Sequence, residues 1–465
     1  MRRSIFISAI ALIATTARAQ EKAPLLTGKV NISIQDGTFE CDLTLSDIPP
    51  VKNYFIRLNS GMNPLHFRSR QPNDFLIGYD KSFADTTSTG ESNAYFFPDN
   101  TRKGKFLPAA VQIKYVGRFP VVKDTLTNYS AKDWKGNIAF NHNSVRADGV
   151  QSAWYPVLYD AGNDKSYENV RYELDITCKD CSTLYINGSV PEKRSTAHFK
   201  SDVPQELVLF CGNYKYSNIG NTYVLNPDIT ATQIAELSTL TNSYKKFYTE
   251  KLGIPFEQAV TFIQTTPTSA RDGWMFVTYP SIVSIGWGDN GLKSLFDPKM
   301  QHWYRPYIAH ELGHYYFGNY KVFNAELGDM MSEGFAEYLS LKLTKEIIGK
   351  EVYDQKMKSK LLELEEFKAV PFSNIRSKAD YDDREVYVYY YAPVVFLAIE
   401  KEIGEKLMWK WLNTVLTTNA TFTNYAFLTT TLQRTINNEA TFDKIRKQYL
   451  ESEKSLENAI SKLAE

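Results

Sequence analysis

The chain has 465 residues, 43% of them hydrophobic and 23% charged, with 53 basic residues against 53 acidic ones and no formal net charge. That length buries two or three ordinary cores, so disorder is not the default. Charges of both signs are interspersed, which does not point to a nucleic-acid partner or an anionic membrane surface.

Residues 1–19 have the layout of a secretory signal. Arg2 and Arg3 lead, Ile5 to Ala14 is apolar, and Ala17-Arg18-Ala19 offers small residues for cleavage before Gln20. The apolar run is shorter than the roughly 20 residues a membrane helix needs. No later segment is long and apolar enough to cross a bilayer, and no cysteine follows the cleavage site to carry a lipid. The expectation is a periplasmic or secreted protein without a transmembrane segment; a buried N-terminal helix is the competing reading.

An exported chain can hold disulfides. Cys178 and Cys181 are spaced for a local bridge at a turn, and Cys41 with Cys211 for a second bridge; a redox or metal role for Cys178-Lys179-Asp180-Cys181 is the weaker alternative.

Residues 20–225 are expected to form a sandwich-like β domain. Val30 to Ile34, Phe39 to Leu45, Tyr54 to Leu58, Ala109 to Tyr115, Tyr172 to Thr177 and Glu206 to Phe210 are short β-branched or aromatic runs punctuated by Gly, Asn, Asp and Pro. Composition changes near Asn226, where a second domain, 226–465, is expected to begin. Ile229 to Lys251 has helical spacing and stops at Leu252-Gly253-Ile254-Pro255. Strand-like runs follow at Ala259 to Gln264 and Trp274 to Tyr279. Helices are then expected over Gln301 to Tyr320, Ser332 to Lys350 and Tyr387 to Ile403, the last ended by Gly404.

The chemistry lies on those helices. His310-Glu311-Leu312-Gly313-His314 puts two imidazoles four residues apart on one helical face, where both reach a single metal ion. A catalytic zinc takes three protein ligands and keeps a fourth position for water. The third ligand must come from elsewhere, and Glu333, on the next helix, is the best candidate. The competing reading is two ordinary histidines and a solvated glutamate. Against it stand the rarity of the pattern in a chain with six histidines and the apolar flanks Pro306-Tyr307-Ile308-Ala309 and Tyr315-Tyr316-Phe317-Gly318.

The run His310 to Asn319, the eighteen-residue gap from His314 to Glu333 and the segment Glu333-Gly334-Phe335-Ala336 resemble the zinc aminopeptidases of the gluzincin group, such as membrane alanyl aminopeptidase and leukotriene hydrolase. The resemblance implies an α+β multidomain protein, with an N-terminal saddle-shaped, sandwich-like β domain ahead of a thermolysin-like, mostly helical catalytic domain. It implies one Zn2+ per chain on His310, His314 and Glu333, with Glu311 as general base and a peptide as substrate. Counting back from Gly404 assigns the family's catalytic tyrosine to Tyr389, although its usual Lys-Gly pair is replaced here by Tyr391-Ala392. Tyr390 and Tyr387 are the other candidates, and an aromatic packing stripe is the competing reading. The family's Gly-x-Met-Glu-Asn amine anchor is not intact. Asp272 falls at its glutamate, beside Arg271.

Two more departures bear on function. The tryptophan-rich approach to the third ligand is replaced by Leu327-Gly328-Asp329-Met330-Met331, and only about sixty residues follow Gly404, too few for the large capping domain of many relatives. A more open site that admits longer substrates is expected. Glu337 reads as a solvent-facing helical glutamate, with orientation of a histidine as the alternative. The functional expectation is an exported zinc metallopeptidase, foremost an aminopeptidase. An endopeptidase or a hydrolase of modified peptides is the first alternative, and a non-catalytic peptide-binding protein the second.

Overall fold

The computed structural model describes residues 23–69, 78–79, 91–101, 103–122, 137–162, 165–265, 275–278, 281–284 and 291–465. The signal-like segment 1–19 and Asp272 lie outside them.

Up to residue 212 the described chain is almost all β. A six-stranded sheet runs in the order Thr196–Gln205, Val170–Cys178, Leu25–Ser33, Thr38–Ser46, Val111–Arg118, Met62–Ser69, with the second and third strands parallel and the other neighbours antiparallel. Alternation explains its one-sided burial: in Thr38–Ser46, Phe39, Cys41, Leu43 and Leu45 face inward, while the residues between them stay wetter. A five-stranded sheet and a four-stranded sheet contribute to the same core. Trp154 is fully buried there, and its indole N–H donates to the Leu207 carbonyl at 2.7 Å.

The cysteines divide. Cys178 and Cys181 form the local disulfide expected of them, next to Asp180, whose carboxylate accepts from Ser33 Oγ and from the Ile34 and Gln35 amides. The second bridge does not form. Cys41 and Cys211 are buried free thiols on strands of different sheets, and burial raises the Cys41 thiol to about 12.

The next sheet has the order Tyr216–Ile219, Thr222–Leu225, Val260–Gln264, Ser281–Ser284, Met275–Thr278, so it takes in two strands ahead of residue 226. Its three inner strands are parallel. Leu225, Ile263 and Val283 pack against Tyr185, Val208, Phe210 and Tyr214 of the β domain, and Ser281 Oγ donates to Asn187 Oδ1 at 3.0 Å.

Helices fill the rest. The first, Ala231–Leu252, starts at a capping box of Thr230 and Gln233 and stops at Gly253, which takes the left-handed conformation at φ 67°. Gln301–Gly313 carries His310 and Glu311, with His314 as the cap at its end, and Gly328–Leu343 carries Glu333. The first of these is shorter than the expected Gln301 to Tyr320. Gly318, at φ 137°, lets the chain turn, while the Tyr315 and Tyr316 hydroxyls donate to the Pro255 and Ile254 carbonyls. The second is followed by a π-helical turn, Thr344–Ile348, and then by a helix that the sequence reading missed, Lys350–Glu363. Ala392–Ile403 ends at Gly404 as expected, and Glu405–Thr417, Tyr425–Ile436, Glu439–Ile445 and Ser455–Ala464 close the domain. Gly313 allows the two ligand helices to meet: a Cβ there would stand 3.2 Å from Ala336 Cα.

Candidate metal centre

Three elements meet at His310. Its own helix is pinned from behind by Tyr248, whose hydroxyl donates to the Ala309 carbonyl at 2.7 Å, and by Ser340, which donates to the Pro306 carbonyl at 2.7 Å. The second ligand helix packs across its face. The segment Val386–Tyr391, another π-helical turn, brings Tyr389 alongside, with its ring 5.6 Å from the His310 ring.

The side-chain geometry is specific. His310 Nε2 and His314 Nε2 are 3.1 Å apart, and Glu333 Oε2 lies 3.3 and 3.2 Å from them. Ligand atoms about 2.0–2.1 Å from one zinc at tetrahedral angles stand about 3.3 Å from each other. The outer nitrogens are already engaged: His310 Nδ1 faces Glu337 Oε2 at 2.9 Å, and His314 Nδ1 faces the Phe317 carbonyl at 3.0 Å. Both of those partners only accept, so each Nδ1 carries the proton and each Nε2 of the neutral rings presents a bare lone pair. Glu333 Oε2 is buried and has no hydrogen-bond partner. Three lone pairs thus converge on one point, an arrangement that repels itself unless a cation sits among them. The donor set, two imidazoles and a carboxylate, fits Zn2+.

Without a metal, a proton on the histidines relieves the same repulsion. Burial works against a charged His310, yet the carboxylates of Glu333 and Glu337 outweigh it and raise the imidazolium to about 10. Burial would raise Glu333, but the two histidines hold it far below the usual carboxylate range. Burial raises Glu311, only partly offset by His310 and His314. It is 8% exposed and accepts a hydrogen bond from the Tyr307 hydroxyl.

Glu337 differs from its expected surface role. It is 5% exposed, it orients His310, and its other oxygen lies 2.7 Å from Lys360 Nζ and 3.4 Å from Lys356 Nζ. The tyrosine run also separates. Tyr387 donates to the Val370 carbonyl inside an aromatic cluster, and Tyr391 bonds Ser455 in the core, whereas the Tyr389 ring lies beside His310. Arg384 binds Asp329 through two bonds of 2.6 and 2.7 Å, reaches Glu333 Oε1 at 3.5 Å and donates to the Tyr389 hydroxyl. The sequence reading missed Tyr307, Lys360 and Arg384. Only Tyr307, four residues before Glu311, left a signal in helical spacing.

No protein-family model matches the chain, and no curated protein matches it by sequence. Solved structures do. An M1 zinc metallopeptidase from Deinococcus radiodurans superposes with a TM-score of 0.60 at 12% identity, covering 93% of this chain and 94% of that one. The fold is that of an M1 zinc metallopeptidase. A variant of the Deinococcus enzyme bound to a Tyr-Ser-Ala substrate gives a TM-score of 0.60 at 12% identity, over 92% of this chain and 94% of that one. Leukotriene A4 hydrolase from Saccharomyces cerevisiae gives 0.61 at 13% identity, over 91% of this chain but 66% of that one. The shared architecture is a β-rich N-terminal domain followed by a mostly helical one, as the sequence led one to expect. No helix among the described residues is long and apolar enough to cross a membrane.

Proposed function

We propose that the chain is a zinc-dependent metallopeptidase, exported, with 226–465 as its peptidase domain and aminopeptidase action as its subclass. The observation that carries the reading is the convergence of His310 Nε2, His314 Nε2 and Glu333 Oε2, three potential metal-ligating atoms within 3.3 Å of one another. When bound there, zinc supplies a Lewis acid and an acidified water. Glu311, between the two histidines in sequence and raised by burial, takes the water's proton and passes it to the leaving amine. The Tyr389 hydroxyl donates a hydrogen bond to the oxyanion that develops on the scissile carbonyl. Glu337 and the Phe317 carbonyl keep both imidazoles in the tautomer that leaves Nε2 free. Support for peptide as the substrate comes from the shared fold and from the tripeptide held by the Deinococcus variant.

One sequence feature favours a second reading, cleavage inside peptides: the amine-anchoring segment is altered to Arg271-Asp272-Gly273. A single experiment separates the two. One peptide is supplied free and N-acetylated to zinc-loaded protein, with Glu311→Gln as control. Aminopeptidase action predicts loss of single residues from the free form alone. Internal cleavage of both forms would move the assignment to an endopeptidase. The Glu311→Gln protein should keep its zinc and lose about 10²–10⁴-fold in kcat; undiminished turnover would remove Glu311 from the mechanism.

A further inference from the structure

Tyr389 stands on a helix with an irregular backbone. Residues 384–403 are continuously helical, but Val386–Tyr391 is a π turn, and residue 393 is proline. Proline has no N–H, so the donor that would reach the Tyr389 carbonyl from four residues on in an α-helix is missing. A side chain fills that role. Lys360, on the helix Lys350–Glu363, donates from Nζ to the Tyr389 carbonyl at 2.6 Å. The same ammonium lies 2.7 Å from Glu337 Oε1, and Glu337 Oε2 accepts from His310 Nδ1 at 2.9 Å. Lys360 is 6% exposed, so neither bond is diluted by water.

We propose that Lys360 is a positioning residue that couples the metal-binding histidine His310 to Tyr389. It rests on the peptidase reading above, in which His310 holds zinc and Tyr389 meets the oxyanion. A compact ammonium with several donors serves two acceptors on different elements at once, the carboxylate behind His310 and the main chain beneath the tyrosine. Lys356 shares the carboxylate but is the more exposed of the two, and the bond to the tyrosine carbonyl comes from Lys360. Removing Lys360 therefore leaves Glu337 only the longer, more exposed contact with Lys356 and takes the bond from the Tyr389 carbonyl. Placement of Tyr389 matters in the transition state more than in substrate binding, so the loss belongs in kcat.

The test combines Lys360→Met with Tyr389→Phe in a double-mutant cycle. Lys360→Met is expected to lower kcat by about 10–100-fold with KM changed less than about threefold, and to weaken zinc by about tenfold in a chelator competition. In the Tyr389→Phe background the same substitution should change kcat by less than about threefold, because the hydroxyl it positions is already gone. A full loss in that background, a change confined to KM, or an unaltered kcat overturns the proposal. If the methionine variant does not fold, Lys360→Gln, whose uncharged amide is one bond shorter than the ammonium and falls short of both acceptors, is scored by the same rule. If the wild-type protein binds zinc but cleaves no peptide, the peptidase reading falls, and Lys360 is judged on zinc alone: a weakening of about tenfold supports its link to His310, and unchanged affinity removes it.

Discussion

Two regions of the molecule bury a carboxylate oxygen that has no hydrogen-bond partner, Asp148 Oδ1 in the β domain and Glu333 Oε2 in the helical one. Their surroundings differ. The other oxygen of Asp148 pairs with the fully buried Arg146, and burial still raises its carboxyl. Around Glu333, three buried or half-buried carboxylates, Glu311, Glu333 and Glu337, face two imidazoles, with Lys360 and Lys356 behind Glu337 and Arg384 at the rim. Here the histidines overcome burial and hold Glu333 low. An orphaned oxygen alone is therefore no sign of a site. Convergence of several potential metal ligands on one point is.

That contrast can be broken at either end. The largest expected effect is structural: Arg146→Met strands Asp148 and should cost about 3–5 kcal/mol in a denaturant unfolding experiment. Zinc affinity should not move, and a parallel loss of metal would show that the two regions are not independent. Next comes Glu337→Gln, which keeps an acceptor for His310 but removes the charge. A chelator competition should show zinc bound about 10–100-fold more weakly. Unchanged affinity would leave Glu337 no part in holding the metal.

The smallest effect per step is in pH. In the metal-free protein His310 is raised to about 10, so below that value zinc has to displace its proton. Affinity should fall as pH falls, by about tenfold per pH unit for each proton displaced, and level off above pH 10. Calorimetry in buffers of different ionisation enthalpy would count the protons released at neutral pH. A flat profile from pH 7 to 9 would mean that His310 is not protonated in the apoprotein.

The site was legible where its chemistry is local. His310, Glu311 and His314 lie within five residues, and Glu333 opens a segment whose Ala336 packs on Gly313 and whose Gly334 lies against Ala392 and Phe396. The fold class followed from short alternating strands giving way to helical spacing. What stayed hidden depends on tertiary placement. Lys356 and Lys360 lie on a charged stretch that reads as a solvated face, and only packing turns that face toward Glu337. Arg384 and Asp329 are distant in sequence and meet over Tyr389 and Glu333. The Cys41 to Cys211 pairing failed for a related reason: sequence spacing carries no information on which sheet a strand joins.

The central claim is that His310, His314 and Glu333 together hold one divalent metal ion. Titration of zinc into metal-free protein near neutral pH, followed by calorimetry for wild type, His314→Ala and Glu333→Ala, tests it most directly. The account predicts one zinc per wild-type chain and no saturable uptake by either variant at the same concentrations, with all three proteins folded. Wild type that takes up no zinc, or variants that bind it as wild type does, would contradict it.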